Sequence, residues 1–236
     1  MLKASIITVC FNSSKTILDC IESVNMQSHS NLEHIFIDAN STDQTVNFIK
    51  RHSTRKFRIV SEEDEGLYDA MNKGVRLASG NFICFLNSDD FFNYKNVIEI
   101  VSQEFERNEL DIVYGNIDYV NEQKKFIRTF KSPPQFVDVL KGFQIPHPAI
   151  FVKASYLKNL DFPFNIEFKI ASDFGQQIYF AQNLDLKTSK IDKSLVQMRT
   201  GGLSSKLIYR IIGWLETAKI YNQITKKNGA IFVLKK

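Results

Sequence analysis

The sequence predicts an α/β fold in which a mostly parallel sheet carries helices on both faces. Apolar runs of strand length recur through the first half of the chain, helical patterns alternate with them, and the strand-like runs end at polar turn residues. Alternation of this kind is typical of a parallel sheet, because a helix returns the chain to the starting edge before each new strand. In such sheets, ligands collect at the carboxyl ends of the strands.

The first half alternates between the two kinds of element. Ser5 to Phe11 is a continuous β-rich run that ends at Asn12-Ser13-Ser14, a turn and helix-cap cluster. Apolar residues then recur at helical spacing, at Ile17, Cys20, Ile21 and Val24. The following segments predict a strand over 34–37, a helix over 45–52, a strand over 57–60, a helix over 68–78 and a strand over 82–86.

After about residue 115 the pattern changes, and a mixed second half is expected. Ile117 to Phe130 is typical of an antiparallel excursion, Ala149 to Val152 of a short strand, and Ala171 to Ala181 of a helix. A last long helix begins near Leu207 and reaches about Lys226. Because the chain contains no internal repeat or low-complexity linker, we expect one domain over 1–202, with halves 1–115 and 116–202, and a basic amphipathic helix and tail over 203–236.

Composition limits the class of protein and its partners. At 44% hydrophobic and 24% charged, the 236 residues are typical of a soluble globular protein with a full core. The net charge is +4, yet residues 203–236 hold seven Lys/Arg and one Glu, a charge of +6, which leaves −2 for residues 1–202. A near-neutral body argues against a nucleic-acid-binding protein.

The cysteines and the first apolar run bear on the compartment. Cys10, Cys20 and Cys84 are an odd set without zinc spacing; Cys10 and Cys84 lie in apolar runs and are expected to be buried thiols. A reducing cytoplasm is therefore expected. The run from Ile6 to Phe11 is far too short for a signal-peptide core or for a membrane span of about 20 residues, so any membrane contact is expected to be peripheral.

Carboxylates follow several predicted strands at the same end. The second strand runs into Asp38 and Asp43, the third into Glu62-Glu63-Asp64-Glu65, and the fourth into Asp89 and Asp90. Parallel strands would bring these acids to one rim, which repels itself unless a cation lies there. Mg²⁺ typically uses one or two carboxylates plus substrate phosphates, so we interpret the rim as the site of a metal-bridged diphosphate.

Five segments occur in the order seen in family 2 glycosyltransferases: SIITVCFN (5–12), DANSTDQT (38–45), SEEDEGLYDAMNKG (61–74), GNFICFLNSDD (80–90) and ASDF (171–174). The sequence resembles that family over about residues 3–205, and within it the small bacterial members that build O-antigen, capsule or colanic-acid repeat units. The resemblance implies a GT-A (Rossmann-like) fold, a nucleotide-diphosphate-sugar donor and inversion at the anomeric carbon. It makes residues 1–115 the nucleotide-sugar-binding half and 116–202 the acceptor half.

The resemblance implies a base-binding group around the second strand. Asp38 would contact the uracil or its ribose; many members carry two consecutive acids here, but the second position is Ala39, so base contacts rest on Asp38 and Asn40. Phe11 would flank the base. On the residues alone, Asp38 is equally typical of a helix cap or Asx turn, and a Phe at a strand end is more often part of the core.

Three further residues would bind the donor on the family pattern. Asp64 and Asn72 would lie against the nucleotide, with Lys73 near phosphate, although an ordinary amphipathic helix with an acidic first turn also explains this segment. His147 lies between two prolines that fix its direction, and small O-antigen-type members often have a His there. It would face the diphosphate or the acceptor; the alternative is a structural turn.

Asn87-Ser88-Asp89-Asp90 corresponds to the metal motif of the family, an Asp-x-Asp at the end of a buried strand. Here the first member of the motif is Asn87, which departs from the family pattern and would contact the donor. Mn²⁺ or Mg²⁺ would therefore bind mainly to Asp89, with Asp90 as the second ligand. Asp89 would also contact the donor. The metal would neutralise the diphosphate leaving group.

Asp173 would be the general base that removes the proton of the acceptor hydroxyl during in-line attack on the anomeric carbon. The alternative is a helix acid favoured by its N-terminal position. Further on, Arg199 and the stretch from Gly201 to Ser205 would close over phosphate, or else form a plain hinge before the last helix.

The last helix suggests two roles of equal weight. A basic helix with an aromatic residue suits an anionic inner leaflet, and packing on the domain or in a dimer is the alternative. The residues concerned are the apolar Leu207, Ile208, Ile211, Trp214, Leu215, Ile220 and Tyr221 and the basic Lys206, Arg210, Lys219, Lys226 and Lys227.

The expected function is a metal-dependent inverting glycosyltransferase in bacterial surface polysaccharide synthesis. It would move a hexose or N-acetylhexosamine from a UDP-sugar, with GDP- and dTDP-sugars as the alternatives, to an undecaprenyl-diphosphate-linked saccharide. The setting would be the cytoplasm or the inner face of the plasma membrane. The alternative is a catalytically inactive relative that binds nucleotide sugars or serves as a scaffold. No Gly-x-Gly-x-x-Gly turn follows the first strand and no P-loop occurs, which argues against an oxidoreductase or a P-loop phosphotransferase.

Overall fold

One sheet runs through the computed structural model, which describes residues 1–161, 163–183, 185–202 and 207–234. Within these ranges the sheet has nine strands: β1 (Ala4–Cys10), β2 (Leu32–Asp38), β3 (Phe57–Ser61), β4 (Phe82–Phe85), β5 (Phe91–Phe92), β6 (Ile112–Val120), β7 (Phe126–Phe130), β8 (Ile150–Lys153) and β9 (Thr188–Arg199). Their order is β3-β2-β1-β4-β8-β6-β9-β5, with β7 paired to β6.

Helices lie between strands along the chain, and two more follow β9 in the residues that the structure describes. They are α1 (Ile17–Asn25), α2 (Thr45–His52), α3 (Leu67–Leu77), α4 (Val97–Asn108), α5 (Ala154–Lys158), α6 (Ser172–Ala181), α7 (Leu207–Thr225) and α8 (Gly229–Leu234). Two 3₁₀ turns cover Phe136–Lys141 and His147–Ala149.

The first half is the predicted parallel sheet. Strands β3, β2, β1 and β4 are parallel neighbours, and every residue of β1 and β2 is buried, as expected of strands covered on both faces. In the second half, β8 is antiparallel to both β4 and β6, whereas β9 is parallel to β6. The predicted α/β class, with a mixed second half, is confirmed.

Each face of the sheet packs against its own hydrophobic core. Ile7 and Val9 of β1 face a cluster with α3, α5 and α6, whereas Ile6 and Cys10 face a cluster with α1, α2 and α4. The three cysteines are free and buried, as predicted for Cys10 and Cys84.

Helix α7 divides into two parts. Thr217, Ile220 and Tyr221 in its second half are buried against the domain, which supports the packing role. Its first half leaves its apolar side chains exposed, among them Leu207, Ile208, Ile211, Trp214 and Leu215. No helix in the described part of the chain is both long and apolar enough to span a bilayer.

Candidate functional site

The turn after β4 carries the predicted metal residues. The Asp90 backbone N–H donates to the Asn87 carbonyl oxygen (3.0 Å), and the Asn87 side-chain amide donates to Asp90 Oδ2 (3.1 Å). Asp90 is buried, and its burial together with the neighbouring Asp89 charge raises its pKa well above the usual range. Burial also raises the pKa of Asp89, which is partly exposed.

Arg199, at the end of β9, holds this turn in place. Its guanidinium forms an ion pair with Asp19 of α1 and donates to the Asp89 carbonyl oxygen (2.6 Å), and its backbone N–H donates to Asp90 Oδ1 (3.3 Å). The guanidinium also lies 5.1 Å from the centroid of the Phe91 ring. Arg199 is therefore engaged inside the protein, which corrects the expectation that it would close over phosphate. Leu203 to Ser205, the rest of that predicted stretch, lie outside the described residues, as does Lys206.

The oxygen atoms of this turn suit a metal ion whose remaining ligands come from the substrate. Among the described residues, no group of three or more His, Cys, Asp or Glu side chains is arranged to hold a metal. The turn offers the Asp89 carboxylate, the Asp90 carboxylate and the Asn87 amide oxygen, all hard oxygen donors. Mg²⁺ commonly takes one or two carboxylates and fills its remaining positions with water and substrate phosphates, so these residues fit such an ion.

Some of the acids expected at the rim are already bonded to other residues of the protein. Asp43 accepts hydrogen bonds from the Ser14 N–H (3.0 Å) and from the Thr45 N–H (2.9 Å) and hydroxyl (2.5 Å). Burial alone would raise the pKa of Asp43, but these bonds hold it well below the usual range. Glu62 forms an ion pair with Lys73 (2.9 Å). Asp43 and Glu62 are therefore compensated within the protein, whereas the Asp89 charge adds to the raised pKa of Asp90.

The residues expected around the base differ in accessibility. Asp38 is fully buried: its carboxylate accepts hydrogen bonds from the Ser41 N–H (2.9 Å), the Ser41 hydroxyl (2.5 Å) and the Ser61 hydroxyl (2.6 Å). The buried carboxylate holds the turn after β2, and its expected contact with the base stays a prediction. Asn40, in that turn, is exposed and has a φ of 58°. Phe11 is 62% exposed rather than part of the core.

Asn72 is likewise bonded within the protein. It is buried, its amide donates to the Phe164 carbonyl oxygen (2.8 Å), and its Oδ1 accepts from the Phe164 N–H (3.0 Å). The side chain of Asn72 fastens α3 to the second half, and its expected contact with the donor stays a prediction. Asp64 is partly exposed before α3, where Oδ1 accepts from the Gly66 N–H (2.8 Å). Lys73 pairs with Glu62 and Asp69 instead of standing free.

Asp173 and His147 meet at a cluster of aromatic rings. Asp173 is partly exposed in the first turn of α6, and the Tyr68 hydroxyl donates to its Oδ1 (2.9 Å). The Tyr68 ring stacks on Phe164 (5.7 Å between centroids). The His147 ring stacks on Phe85 (5.0 Å) and meets the edge of Phe164 (5.6 Å).

The two titrating neighbours of Asp173 are biased toward their neutral forms. Burial, followed by the Asp173 charge, raises the pKa of Tyr68 well above its usual range. Burial lowers the pKa of His147, and the Asp173 charge only partly opposes this effect. Asp173 is thus an accessible carboxylate beside a phenol that stays protonated and an imidazole that stays neutral at pH 7.

Strand β4 joins the two parts of the site. Phe85 is the last residue of β4 and stacks on His147, and Asp89 follows in the turn just after that strand. The strand thereby links the ring cluster that contains Asp173 to the turn that contains Asp89 and Asp90.

A cavity of about 290 Å³ lies elsewhere, along α6. Ser172, Gly175, Gln176 and Tyr179 of α6 line it together with Ile220 of α7. None of the predicted site residues lines it, although Ser172, the neighbour of Asp173, does.

Similar solved structures share this architecture. S. aureus TarS 1–349 in complex with UDP-GlcNAc has a TM-score of 0.71 at 21% identity, covering 93% of this chain and 67% of that chain. The mannosyltransferase PcManGT from Pyrobaculum calidifontis, in complex with GDP-Man and Mn²⁺, has a TM-score of 0.72 at 15% identity, covering 99% and 68%. The fold is that of the GT-A glycosyltransferases.

The family follows from the sequence comparison. The model for glycosyl transferase family 2 matches residues 5–162. The chain belongs to glycosyltransferase family 2, and the resemblance seen in the motifs is confirmed.

Several curated relatives of the chain are bacterial glycosyltransferases. A PGL/p-HBAD biosynthesis glycosyltransferase of Mycobacterium tuberculosis is 26% identical over 209 residues, which are 86% of this chain and 80% of the relative. An Escherichia coli UDP-Glc:α-D-GlcNAc-diphosphoundecaprenol β-1,3-glucosyltransferase is 30% identical over 165 residues, 68% of this chain and 64% of the relative. The chain spans only 33% of a 30% identical uncharacterized glycosyltransferase of Rickettsia felis.

Sequence reasoning missed several residues of the site. Tyr68 lies inside the motif over 61–74, where its place at the start of a helix beside an acidic turn was the available signal. Phe164 and the internal role of Arg199 gave no signal, because their partners lie far away along the chain: 92 residues separate Phe164 from Asn72 and 180 separate Arg199 from Asp19.

Proposed function

We propose that the protein is an inverting glycosyltransferase that moves a sugar from a nucleotide-diphosphate sugar to a saccharide hydroxyl. The observation that carries the proposal is the Asp173 carboxylate, which is partly exposed, accepts the Tyr68 hydroxyl at 2.9 Å and belongs to the ring cluster at the end of β4. Asp89 follows the same strand.

In the proposed reaction Asp173 is the general base. It takes the proton from the acceptor hydroxyl as that oxygen bonds to the anomeric carbon, and the bond from this carbon to the diphosphate breaks. One displacement inverts the anomeric centre and releases the nucleoside diphosphate. Tyr68 orients the carboxylate by donating to Oδ1, which leaves Oδ2 for the acceptor. Neutral His147 would border the transfer position without adding a positive charge that competes for the base.

The metal part of the proposal rests on Asp89 and Asp90. Asp89, with Asp90 behind it, would hold Mn²⁺ or Mg²⁺, and the ion when bound would supply charge neutralisation for the diphosphate. Arg199 keeps the turn in register from within, by its bonds to the Asp89 carbonyl and the Asp90 carboxylate.

A UDP-sugar is the proposed donor, with a hexose or N-acetylhexosamine to transfer. The Escherichia coli relative is named as a transferase that uses UDP-Glc, and TarS forms a complex with UDP-GlcNAc, which supports this class. Phe11 and Asn40, both exposed where β1 and β2 end, are the proposed base contacts, and Asp64 is proposed to lie against the nucleotide.

The proposed acceptor is an undecaprenyl-diphosphate-linked saccharide, the class named for the Escherichia coli relative, and the proposed setting is surface polysaccharide synthesis at the inner face of the plasma membrane. The exposed first half of α7 supports this proposal. At 100° per residue, its five apolar side chains fall within about a third of the helix circumference. They form an apolar stripe: Leu207, Ile208, Ile211, Trp214 and Leu215.

The charge around the apolar stripe favours lipid over a second copy of the chain. Arg210, Lys219, Lys226 and Lys227 are exposed, and the one acid of this helix, Glu216, bonds inward. Two copies facing each other would oppose these cations, whereas an anionic leaflet would attract them. The Arg210 guanidinium lies 5.7 Å from the Trp214 ring centroid, an arrangement suited to the boundary between headgroups and acyl chains.

A catalytically inactive relative remains the second candidate. The observation in its favour is Asp90, which is buried and already bonded to Asn87 and to the Arg199 backbone, so that metal binding rests largely on Asp89. Such a protein would bind a nucleotide sugar without transferring it.

A thermal-shift panel separates these candidates. We would heat the protein with UDP, GDP, dTDP and ADP, each with and without Mn²⁺. A ligand at a hundredfold excess over its dissociation constant stabilises the native state by about 2.7 kcal/mol, which is readily measured. A Mn²⁺-dependent shift confined to UDP supports the donor class, and transfer assays with UDP-glucose then separate enzyme from binder. No shift with any nucleotide would overturn the donor site.

A further inference from the structure

Glu216 stands out in the last part of the chain because it is the one acidic residue between 207 and 234 and bonds inward. Its Oε1 accepts a hydrogen bond from the Lys169 N–H (2.8 Å), and its Oε2 accepts from the N–H groups of Ile170 (2.9 Å) and Ala171 (3.0 Å). Three consecutive backbone N–H groups thus converge on one carboxylate, the arrangement that binds anions in backbone nests. Hydrogen bonds to a charged acceptor are stronger than neutral ones.

These N–H groups immediately precede the helix that carries the proposed base. Ala171 is the capping residue of α6, and Asp173 lies in its first turn. Gly213, one turn before Glu216 on the same side of α7, also approaches this segment: a Cβ there would lie 3.1 Å from Ile170 Cγ2. Helix α7 therefore packs against, and bonds to, the segment that leads into α6.

A second element, helix α3, holds the side chain of Asp173. The Tyr68 hydroxyl holds its Oδ1, while Glu216 holds the backbone two residues earlier. The Glu216 charge also contributes, after burial and Asp173, to the raised pKa of Tyr68, so the carboxylate is close enough to act on this pair electrostatically.

We propose that Glu216 is a positioning residue for the transfer reaction: it binds the N-terminal approach of α6 and so aims Asp173 at the acceptor hydroxyl. This inference rests on the proposed role of Asp173 as general base. It gives the Glu216 turn of α7 a part in placing the base. A lipid surface that holds the apolar stripe would also hold the segment that places the base.

The test compares Glu216→Ala and Glu216→Gln in the full chain, with Gln223→Ala, an exposed position on the same helix, as the control. UDP release from UDP-glucose would be measured with GlcNAc-diphosphoundecaprenol in detergent, together with UDP binding by thermal shift. Because a misplacement of about 1 Å can cost about 100-fold in rate, we expect Glu216→Ala to lower kcat by about that factor while the KM for UDP-glucose stays unchanged. Glu216→Gln keeps one acceptor oxygen and should retain an intermediate rate.

Two further measurements distinguish positioning from general loss of structure. Amide exchange should accelerate at residues 169–171 in Glu216→Ala, while β1 and β4 remain protected. In an Asp173→Asn background, Glu216→Ala should cause no further loss of kcat, because the two residues act as one unit.

The inference is overturned if Glu216→Ala keeps full kcat, if its rate loss is undiminished in the Asp173→Asn background, or if exchange at 169–171 is unaltered. The failure of the proposed function has a different signature. If Asp173→Asn itself transfers normally, Asp173 is not the base and both proposals fall. If Asp173→Asn is inactive while Glu216→Ala is normal, only the role of Glu216 falls.

Discussion

The Asp173 carboxylate accepts a hydrogen bond from the Tyr68 hydroxyl, and its side chain is partly exposed. Asp173→Asn keeps its size but cannot accept a proton, so we expect transfer to fall by about 100-fold or more with UDP binding unchanged. Tyr68→Phe removes only the orienting bond and should cost about tenfold. Steady-state transfer and UDP thermal shift check both variants; normal transfer by Asp173→Asn would remove it as the base.

Asp89 is the more accessible carboxylate of the turn after β4. We expect Asp89→Ala to abolish most of the Mn²⁺-dependent part of UDP binding, because the remaining carboxylate, Asp90, is buried and bonded to Asn87 and Arg199. Titration of UDP with and without Mn²⁺ measures this effect. Asp161→Ala, an exposed acid outside the turn, is the matched control. Unchanged Mn²⁺ dependence in Asp89→Ala would move the ligand elsewhere.

The sequence identified polar residues at the strand ends but not the internal partners of their side chains. Asp38 and Asn72 stand at the predicted places, yet both are consumed by internal bonds. A side chain's partners depend on segments that meet only in the folded state: Ser61 completes the bonds of Asp38, and Phe164 completes those of Asn72. Spacing within one motif contains no information on either contact.

Helix α7 yields a prediction about lipid binding. Replacing Trp214 and Leu215 together by Gln removes two large apolar side chains from the apolar stripe, and burying one such side chain is worth about 1.5–3 kcal/mol. Binding to vesicles containing phosphatidylglycerol should therefore fall at least about tenfold in a sedimentation assay. The pair Phe126→Gln and Ile127→Gln, also exposed but on β7, is the control and should bind as the unaltered protein does.

Two results would contradict this role. Vesicle binding that persists in the α7 variant would show that the apolar stripe does not meet lipid. A dimer of the unaltered protein that dissociates in the variant would assign the apolar stripe to a second copy instead.

Elements whose apolar residues recur at a single helical or strand spacing were predictable from the sequence. Elements whose apolar residues are interrupted by charged ones were not. The predicted helix over 45–52 matches α2 residue for residue. Strand β9 had no prediction, because Lys190, Asp192 and Lys193 interrupt its apolar residues and its pairing with β6 shifts register at Gly115 and Asn116. Such irregularities reflect a neighbour in the sheet, which local sequence does not specify.

Histidines whose pKa is lowered by burial make the stability of the protein sensitive to acid. His34 is buried on β2, and burial lowers its pKa from 6.5 to about 3. A depressed histidine pKa means that the unfolded chain binds more protons, so its contribution to stability is full above pH 6.5 and is lost as pH falls toward 3. His147 acts in the same direction, because burial lowers its pKa too.

We therefore expect the unfolding free energy to drop as pH falls below 6.5, with His34 contributing up to about 1.4 kcal/mol per pH unit. Denaturant unfolding of His34→Gln should show a slope shallower by that amount. Taking the difference from the unaltered protein cancels groups of other sign, such as the buried Asp90. His52→Gln, at an exposed position, is the control; equal slopes in His34→Gln and the unaltered protein would refute the assignment.

The bonds of Arg199 also bear on the order in which the molecule forms. The turn with Asp89 and Asp90 is made early along the chain, but two of its fastenings come from a residue more than 100 positions later. Strand β5, which follows that turn, pairs only with β9 among the described strands. During synthesis the turn with Asp89 and Asp90 would therefore lack these bonds until β9 leaves the ribosome. A fragment that ends at residue 162, where the family match ends, would hold every acid of the motif and lack the strand that fixes them.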